Sequence, residues 1–277
     1  MTGKALDRGL FDLTGKVAVV TGAAGIQGVR ITRGLAAFGA DVAAVDIDRA
    51  GAERLAAELK SEYGVRALGI ACDVSRPDDV ARMVNTVVRE LGGVHVLHNN
   101  AATKTDDVDA FLAPFESYAL ATWRAVMAVN LDGMFLVAQA VGGRMIKQGM
   151  GGSVIQTAST YGVVAPDQRI YDGSEYLGGR RINTPAVYSA SKAGVIGLTR
   201  YLATYWADKG IRVNSLTPGG IESGQNETFR RNYGSRVPLG RMADRDEMVG
   251  AVVFLASDAS SYMTGHNLVV DGGWTVW

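Results

Sequence analysis

The 277 residues predict one α/β domain with a doubly wound parallel sheet and helices covering both faces. Two observations carry that prediction. Short, nearly continuous apolar runs alternate with amphipathic ones from the start of the chain, as strands buried on both faces alternate with their crossover helices. The first run passes through a glycine-rich turn into helical periodicity, and no repeat, low-complexity stretch or linker interrupts the rest of the chain. A chain of this length buries one sizeable core, so residues 1–277 are expected to form a single domain.

Residues 16–21 (KVAVVT) form the first predicted strand, and the turn from Gly22 to Gly28 feeds a helix ending near Gly39. Glycines there let backbone approach a pyrophosphate, whose charge meets the exposed N–H groups of the helix start. Gly22, Gly25, Ile26, Gln27 and Gly28 are therefore candidate dinucleotide contacts in a Rossmann-like fold, the alternative being a tight turn without a ligand. The second strand, 41–45, ends in Asp46, where this fold presents an acid to the adenosine ribose hydroxyls. A 2′-phosphate would be repelled there by about 4 kcal/mol per charge pair at about 4 Å, which favours NAD over NADP. Arg49 blurs that preference, and Asp48 competes for the ribose.

A helix at 50–63 leads to a strand at 67–72 that ends in Asp73 and Val74. Asp73 can accept from the adenine amino group while Val74 packs on its ring, or Asp73 can cap a local turn. A helix at 78–91 and a strand at 94–98 precede Asn99, Asn100, Ala101 and Ala102. Asparagines leaving a strand tie neighbouring loops together, and the small residues leave a floor for a cofactor. The long amphipathic segment 116–148 carries Asn130 among apolar neighbours, where its carboxamide needs backbone or water as partner. It reads either as a polar residue that bends the helix or as the anchor of a water chain leading to an active-site lysine.

The strand at 153–157 opens onto Ser159, which can donate to a substrate oxygen, with Thr157, Thr160 and Tyr161 beside it. Tyr188 and Lys192 stand four apart in a run, 185–207, that reads as helix, so they share one face. To exchange protons near neutrality the phenol must fall from about 10 to about 7, a cost of about 4 kcal/mol. One lysine cation at about 4 Å and an effective dielectric of about 20 supplies that much. Alone, the pair equally describes an aromatic on the core beside a solvated lysine.

Composition narrows the partners. Lys+Arg 28 balances Asp+Glu 28, so no overall field draws the chain to nucleic acid or to a membrane surface, and small soluble molecules are the expected partners. Cys72 stands alone in an apolar run, excluding an internal disulfide and fitting a reducing cytoplasm. Charges at Lys4, Asp7, Arg8 and Asp12 break any signal-peptide core, and no later apolar run is expected to reach the length of a membrane span. His95, His98 and His266 form no metal-ligand pattern, so no metal is expected.

Taken in order, TGAAGIQG, Asp46, CDV at 72–74, NNAA, Asn130, Ser159, YSASK and RVNSLTPGGIES at 212–223 make residues 13–274 resemble the single-domain short-chain dehydrogenases/reductases. The resemblance implies that Tyr188 is the acid/base, that Lys192 lowers its pKa and holds the nicotinamide ribose, that Ser159 positions the substrate oxygen, and that Asn130 holds a relay water. It also implies that Pro218, Gly219, Ile221 and Ser223 wrap the nicotinamide, and that the protein is a homotetramer, with the apolar tail bearing Trp274 and Trp277 suited to a subunit contact. Two departures stand out. The glycine turn reads TGxxGxxG, with Ile26 where most members have glycine, a spacing similar to that of sugar-nucleotide enzymes. Ser159 and Tyr188 are 29 residues apart (188 − 159), longer than usual, so residues 163–184 are expected to loop out beside the active site. That insertion offers guanidiniums to a polyhydroxylated or anionic substrate, or a surface for oligomer contact. The segment 224–240 reads as a lid over bound cofactor.

The expected activity is interconversion of a secondary alcohol and a ketone on a small polar substrate, a sugar or sugar derivative among them, with NAD as hydride carrier. The alternatives are a nucleotide-sugar epimerase or dehydratase with recycled NAD and a non-catalytic NAD-binding regulator.

Overall fold

The computed structural model describes residues 8–176 and 180–277. Its centre is a seven-stranded parallel sheet with order β3-β2-β1-β4-β5-β8-β9. The strands are β1 Val17–Thr21, β2 Asp41–Asp46, β3 Ala67–Ala71, β4 Val96–Asn99, β5 Gly152–Thr157, β8 Ile211–Pro218 and β9 Asn267–Val270. Every side chain of β1 is buried, because helices cover both sides of this central strand. Val19, Leu97, Val154 and Val213 point into one core, shared with α3 Pro77–Leu91 and α6 Met134–Gln148. Ala18, Val20, Val96 and Ile155 point into the other, shared with α1 Ile26–Ala37, α2 Arg49–Tyr63 and α9 Val249–Ala256.

Local chemistry sets the helix ends. Asp48 caps α2 by accepting from Gly51 N at 3.0 Å, and Gly64 ends it in the left-handed region at φ 69°. Pro77 opens α3 with Asp78 and Asp79 in its first turn, favourable beside the helix's positive end.

The segment after β4 departs from the expectation. After the short α4 Val108–Phe111 comes one continuous helical run of 29 residues, Leu120–Gln148, long and apolar enough to cross a membrane by length and composition. It lies within the expected segment 116–148 and reaches that length, against the expectation that no apolar run would, because α5 Leu120–Met127 passes through a π-helical turn, Ala128–Gly133, into α6 without a break. Its buried side packs on α3, β4 and β5, as the core helix of an α/β domain does.

Residues 163–184 build structure of their own. A 3-10 turn at Gln168–Tyr171 is followed by a two-stranded antiparallel ladder, β6 Glu175–Tyr176 with β7 Arg180–Arg181. The next helix, α7 Ala186–Tyr205, begins one residue and ends two residues inside the expected limits. Within 224–240 the chain forms α8 Glu227–Gly234, which the insertion contacts closely. Asn232 Nδ2 donates to the carbonyls of Ile170 and Asp172, Tyr171 stacks on Phe229 with centroids 5.4 Å apart, and Asp167 pairs with both Arg169 and Arg236.

Candidate active site

Strand ends position the site. Gly22, Asp46, Asp73, Asn100, Ser159 and Pro218 all lie at or just past the carboxyl ends of parallel strands, where open α/β sheets gather ligands. A cleft of about 460 Å³ runs over the first half of that edge, lined by the glycine turn, Asp46, Asp73, Val74, Ala101 and Ala102. A chamber of about 330 Å³ adjoins it, lined by Ser159, Tyr188, Lys192, Pro218, Gly219 and Ile221. Gln27, Asn100 and Ala102 border both spaces, so the two form one channel.

The glycine turn fits a pyrophosphate. Gly22 adopts φ 66°, and a Cβ there would press on Ala101 Cα at 3.0 Å. A Cβ on Gly28 would fall 1.9 Å from Gly22 O, so only glycine lets α1 pack this tightly under the turn. No side chain caps α1, whose N-terminus opens on the cleft with Ile26 half-exposed at its edge. Gly25 is different, with φ −74° and its nearest non-neighbouring atom, Gly22 O, 3.3 Å from an added Cβ.

Around the turn, polar side chains fix the backbone. Asp46 accepts from Ala24 N at 2.9 Å and from Asp48 N at 3.0 Å, bracing the turn from the cleft. Asp73 holds Ser75 through its N–H and hydroxyl while still lining the cleft. Asn99 donates to Met134 O, and Asn100 donates to Thr21 O at 3.2 Å, tying the ends of β1 and β4 to each other and to α6. Asn130, fully buried in the π turn, accepts from Thr103 N at 2.7 Å and donates to Thr103 O, so its carboxamide clamps the loop after NNAA. Such turns recur inside helices at functional sites.

In the chamber, the Ser159 hydroxyl accepts from Tyr161 N at 3.2 Å and is close enough to the Tyr188 phenol to favour its ionised form. Lys192 Nζ lies 5.9 Å from the centroid of the Tyr188 ring and donates to Thr157 O at 2.8 Å. The expected depression of the phenol by the lysine is absent. Burial raises the Tyr188 pKa, opposed only by the Ser159 hydrogen bond, and burial also pushes Lys192 down to about 8. The physical reason is desolvation: both groups lose water, and the ammonium turns to a carbonyl rather than to the phenolic oxygen.

Other expected residues are engaged elsewhere in this structure. Ser223 lines neither space, and its hydroxyl accepts from Gln225 Nε2 at 2.9 Å. Trp274 is no subunit contact: it is buried within its own chain, stacked on Tyr233 at 4.6 Å, whereas Trp277 is exposed. The guanidiniums of Arg169 and Arg236 are paired with Asp167 and that of Arg230 with Glu222, so they are committed within the chain. Among the insertion's described residues none lines the chamber.

Several contributors escaped the sequence reading. Thr157 receives the lysine through its carbonyl, and its hydroxyl meets Nε2 of the fully buried His98 at 3.0 Å. Tyr233, from α8, borders the chamber and accepts from Gly220 N. Only Thr157's place at the end of a strand marked it beforehand.

A family model described as enoyl-(acyl carrier protein) reductase matches residues 22–275. D-threitol dehydrogenase of Mycolicibacterium smegmatis is 38% identical over 275 residues, covering 96% of this chain and 95% of that protein. This chain belongs to the short-chain dehydrogenase/reductase family. Another member of the family, the NADP-dependent mannitol dehydrogenase of Hypocrea jecorina, is 40% identical over 277 residues, covering 96% of this chain and 94% of that protein. A short-chain dehydrogenase from Leptospira borgpetersenii, solved with bound NAD+, superimposes with a TM-score of 0.83 at 31% identity, covering 99% of this chain and 98% of that one.

Proposed function

We propose that this short-chain dehydrogenase/reductase oxidises a secondary alcohol of a polyol or sugar derivative to the ketone, and reduces it back, using NAD. The observation that carries the proposal is the convergence of Ser159, Tyr188 and Lys192 on one chamber continuous with the glycine-turn cleft. The threitol and mannitol dehydrogenases, similar over nearly the whole chain, support the substrate class.

The residues divide the work. Gly22, Gly25, Ile26, Gln27 and Gly28 would hold the pyrophosphate, Asp46 the adenosine ribose, and Asp73 and Val74 the adenine. Asn100, Ala101, Ala102, Pro218, Gly219, Ile221 and Ser223 would shape the nicotinamide end, Ser223 after releasing Gln225. Nicotinamide supplies the two-electron step by accepting or returning a hydride at C4. Ser159 would orient the substrate oxygen, and Tyr188 would take its proton on oxidation and return it on reduction. Lys192, anchored on Thr157 O, would hold the nicotinamide ribose, and Asn130 would hold the far end of the proton path. NAD is favoured over NADP by the carboxylate of Asp46 in the cleft. Exposed Phe135, Tyr201 and Tyr205 on α6 and α7 support a homotetramer, which light scattering on the eluting species tests.

The test is Tyr188→Phe, screened on sugars, polyols and hydroxy acids with both dinucleotides. Turnover should vanish with NADH binding retained; persistent turnover would remove the phenol from the mechanism.

A further inference from the structure

Behind the chamber lies a second hollow of about 210 Å³, whose walls come from the chain after α8 and from the end of β9: Leu239, Ala243, Met248 and Val270, with the paired Arg241 and Glu247 at its side. The chamber and this hollow have three lining residues in common, Gly219, Gly220 and Tyr233. Two of them are glycines, so among the described residues Tyr233 supplies the only side chain that borders both spaces.

That ring is held from several directions. Its hydroxyl oxygen accepts from Gly220 N, and a Cβ on Gly220 would fall 2.5 Å from Tyr233 Cζ, so glycine is what lets the ring lie against the backbone. Trp274 stacks on it with centroids 4.6 Å apart and planes at 17°, and Phe229 leans on it at 5.9 Å. The backbone it meets is fixed as well: Ala243 N donates to Gly220 O at 2.9 Å, and Gly219 N donates to Val270 O at 2.9 Å. Tyr233 is only 4% exposed, and it cannot turn aside without losing a hydrogen bond and two aromatic contacts. Burial pushes its phenol up to about 12, so it stands beside the chamber as a neutral wall near neutral pH.

From these observations we infer that Tyr233 determines substrate size: its ring closes the chamber toward the turn after β9 and limits the substrate to alcohols short enough to end there. This rests on the oxidoreductase reading and narrows its substrate class to compact polyols and other short secondary alcohols. Longer ones need room that exists behind the ring and is walled off. That room is large enough to matter, since a cavity of about 150 Å³ already holds benzene, and its aliphatic wall suits an alkyl chain.

The experiment measures kcat/KM with NAD for threitol and for the 1,2-diols from butane to octane in the wild type, Tyr233→Ala, Tyr233→Leu and Tyr233→Phe. The quantity read is the ratio of 1,2-octanediol to 1,2-butanediol. It should rise at least about tenfold in Tyr233→Ala, as two of the four added methylenes enter the hollow at about fourfold each, and by less in Tyr233→Leu. Tyr233→Phe keeps the ring and should stay within twofold of the wild type. Leu239→Trp, which crowds the hollow, should take back most of the gain in the Tyr233→Ala background and leave the wild-type ratio within twofold. Three results overturn the partition and leave the oxidoreductase reading standing: an unchanged ratio in both truncated variants, an equal rise in Tyr233→Phe, or a wild-type ratio that moves with Leu239→Trp. Loss of all turnover in both truncated variants, with the wild type active, also overturns it, because the ring then supports the fold or the reaction rather than limiting its reach. A wild type that turns over no alcohol overturns both.

Discussion

Asp46 offers the sharpest test of how the cleft chooses its dinucleotide. Its carboxylate lines the cleft and is held by two backbone N–H groups, from Ala24 at 2.9 Å and Asp48 at 3.0 Å, so it cannot swing away from an incoming 2′-phosphate without breaking the turn. Asp46→Asn removes the charge while its carboxamide oxygen still accepts one of those bonds. Two unit charges at about 4 Å repel by about 1 kcal/mol in water and about 4 kcal/mol at an effective dielectric of 20. Asp46 is half-buried, between those limits, which corresponds to about 5- to 1000-fold in relative kcat/KM. The measurement is the NAD to NADP ratio of kcat/KM for one alcohol in both proteins, repeated at high salt, where screening should narrow the gap. The lost backbone bond should cost about 1 kcal/mol of stability, read separately by thermal melting. A ratio in Asp46→Asn within twofold of the wild type, or a wild type that prefers NADP, would refute the electrostatic argument.

Two further outcomes come from the packing. Gly28→Ala places a methyl 1.9 Å from Gly22 O and should cost about 1–3 kcal/mol of stability together with most NADH affinity, whereas Gly25→Ala, at 3.3 Å from the same oxygen, should cost less stability and reduce NADH affinity only through its place in the cleft lining; thermal melting and fluorescence titration with NADH compare them, and equal losses of stability would contradict the assignment. Burial, followed by the Lys192 charge, holds His98 down to about 3, so the folded protein refuses a proton that the unfolded chain takes below about 6.5. Its contribution is intact above about 6.5 and is lost as pH falls toward 3, and His98→Leu should flatten the acid limb of denaturant stability; parallel limbs would count against it.

What was legible in the sequence was what period and spacing encode. The alternation of apolar runs marked β1 to β5 to within two residues, because strands buried on both faces admit few polar residues, whereas β8 was read only as a motif and not as a strand. The unusual glycine spacing was harder to interpret from letters. Gly22 has a positive φ and Gly28 leaves no room for a Cβ, while Gly25 is extended with an added Cβ 3.3 Å from Gly22 O, so the middle glycine of TGxxGxxG is confined less tightly than the other two. Contacts between distant segments were not legible. Nothing local to Thr157 or His98 shows that one receives Lys192 or that the other lies beneath it, and nothing in 163–184 shows that its arginine at 169 is matched within the chain. Side-chain partners of that kind are set by the register of β4 against β5 and by the docking of α8, which no single segment records.

The proton inventory at Tyr188 bears most directly on the direction of the reaction. Burial raises the Tyr188 pKa, so the protein by itself rests with its proton on tyrosine, ready to give it to a substrate oxygen being reduced, and burial lowers the Lys192 pKa to about 8. Oxidation needs the opposite state, and the one side chain that opposes burial at the phenol is Ser159. Removing that hydroxyl should therefore raise the Tyr188 pKa further. In Ser159→Ala, the acid limb of the pH profile for alcohol oxidation should move to higher pH, while ketone reduction near neutrality loses only substrate positioning, worth about 10²–10³ in kcat. The two effects separate cleanly, since one shifts a limb and the other lowers a plateau. An oxidation profile that falls in height without moving along the pH axis would mean that Ser159 touches only the substrate, and that something other than this hydrogen bond prepares the phenol.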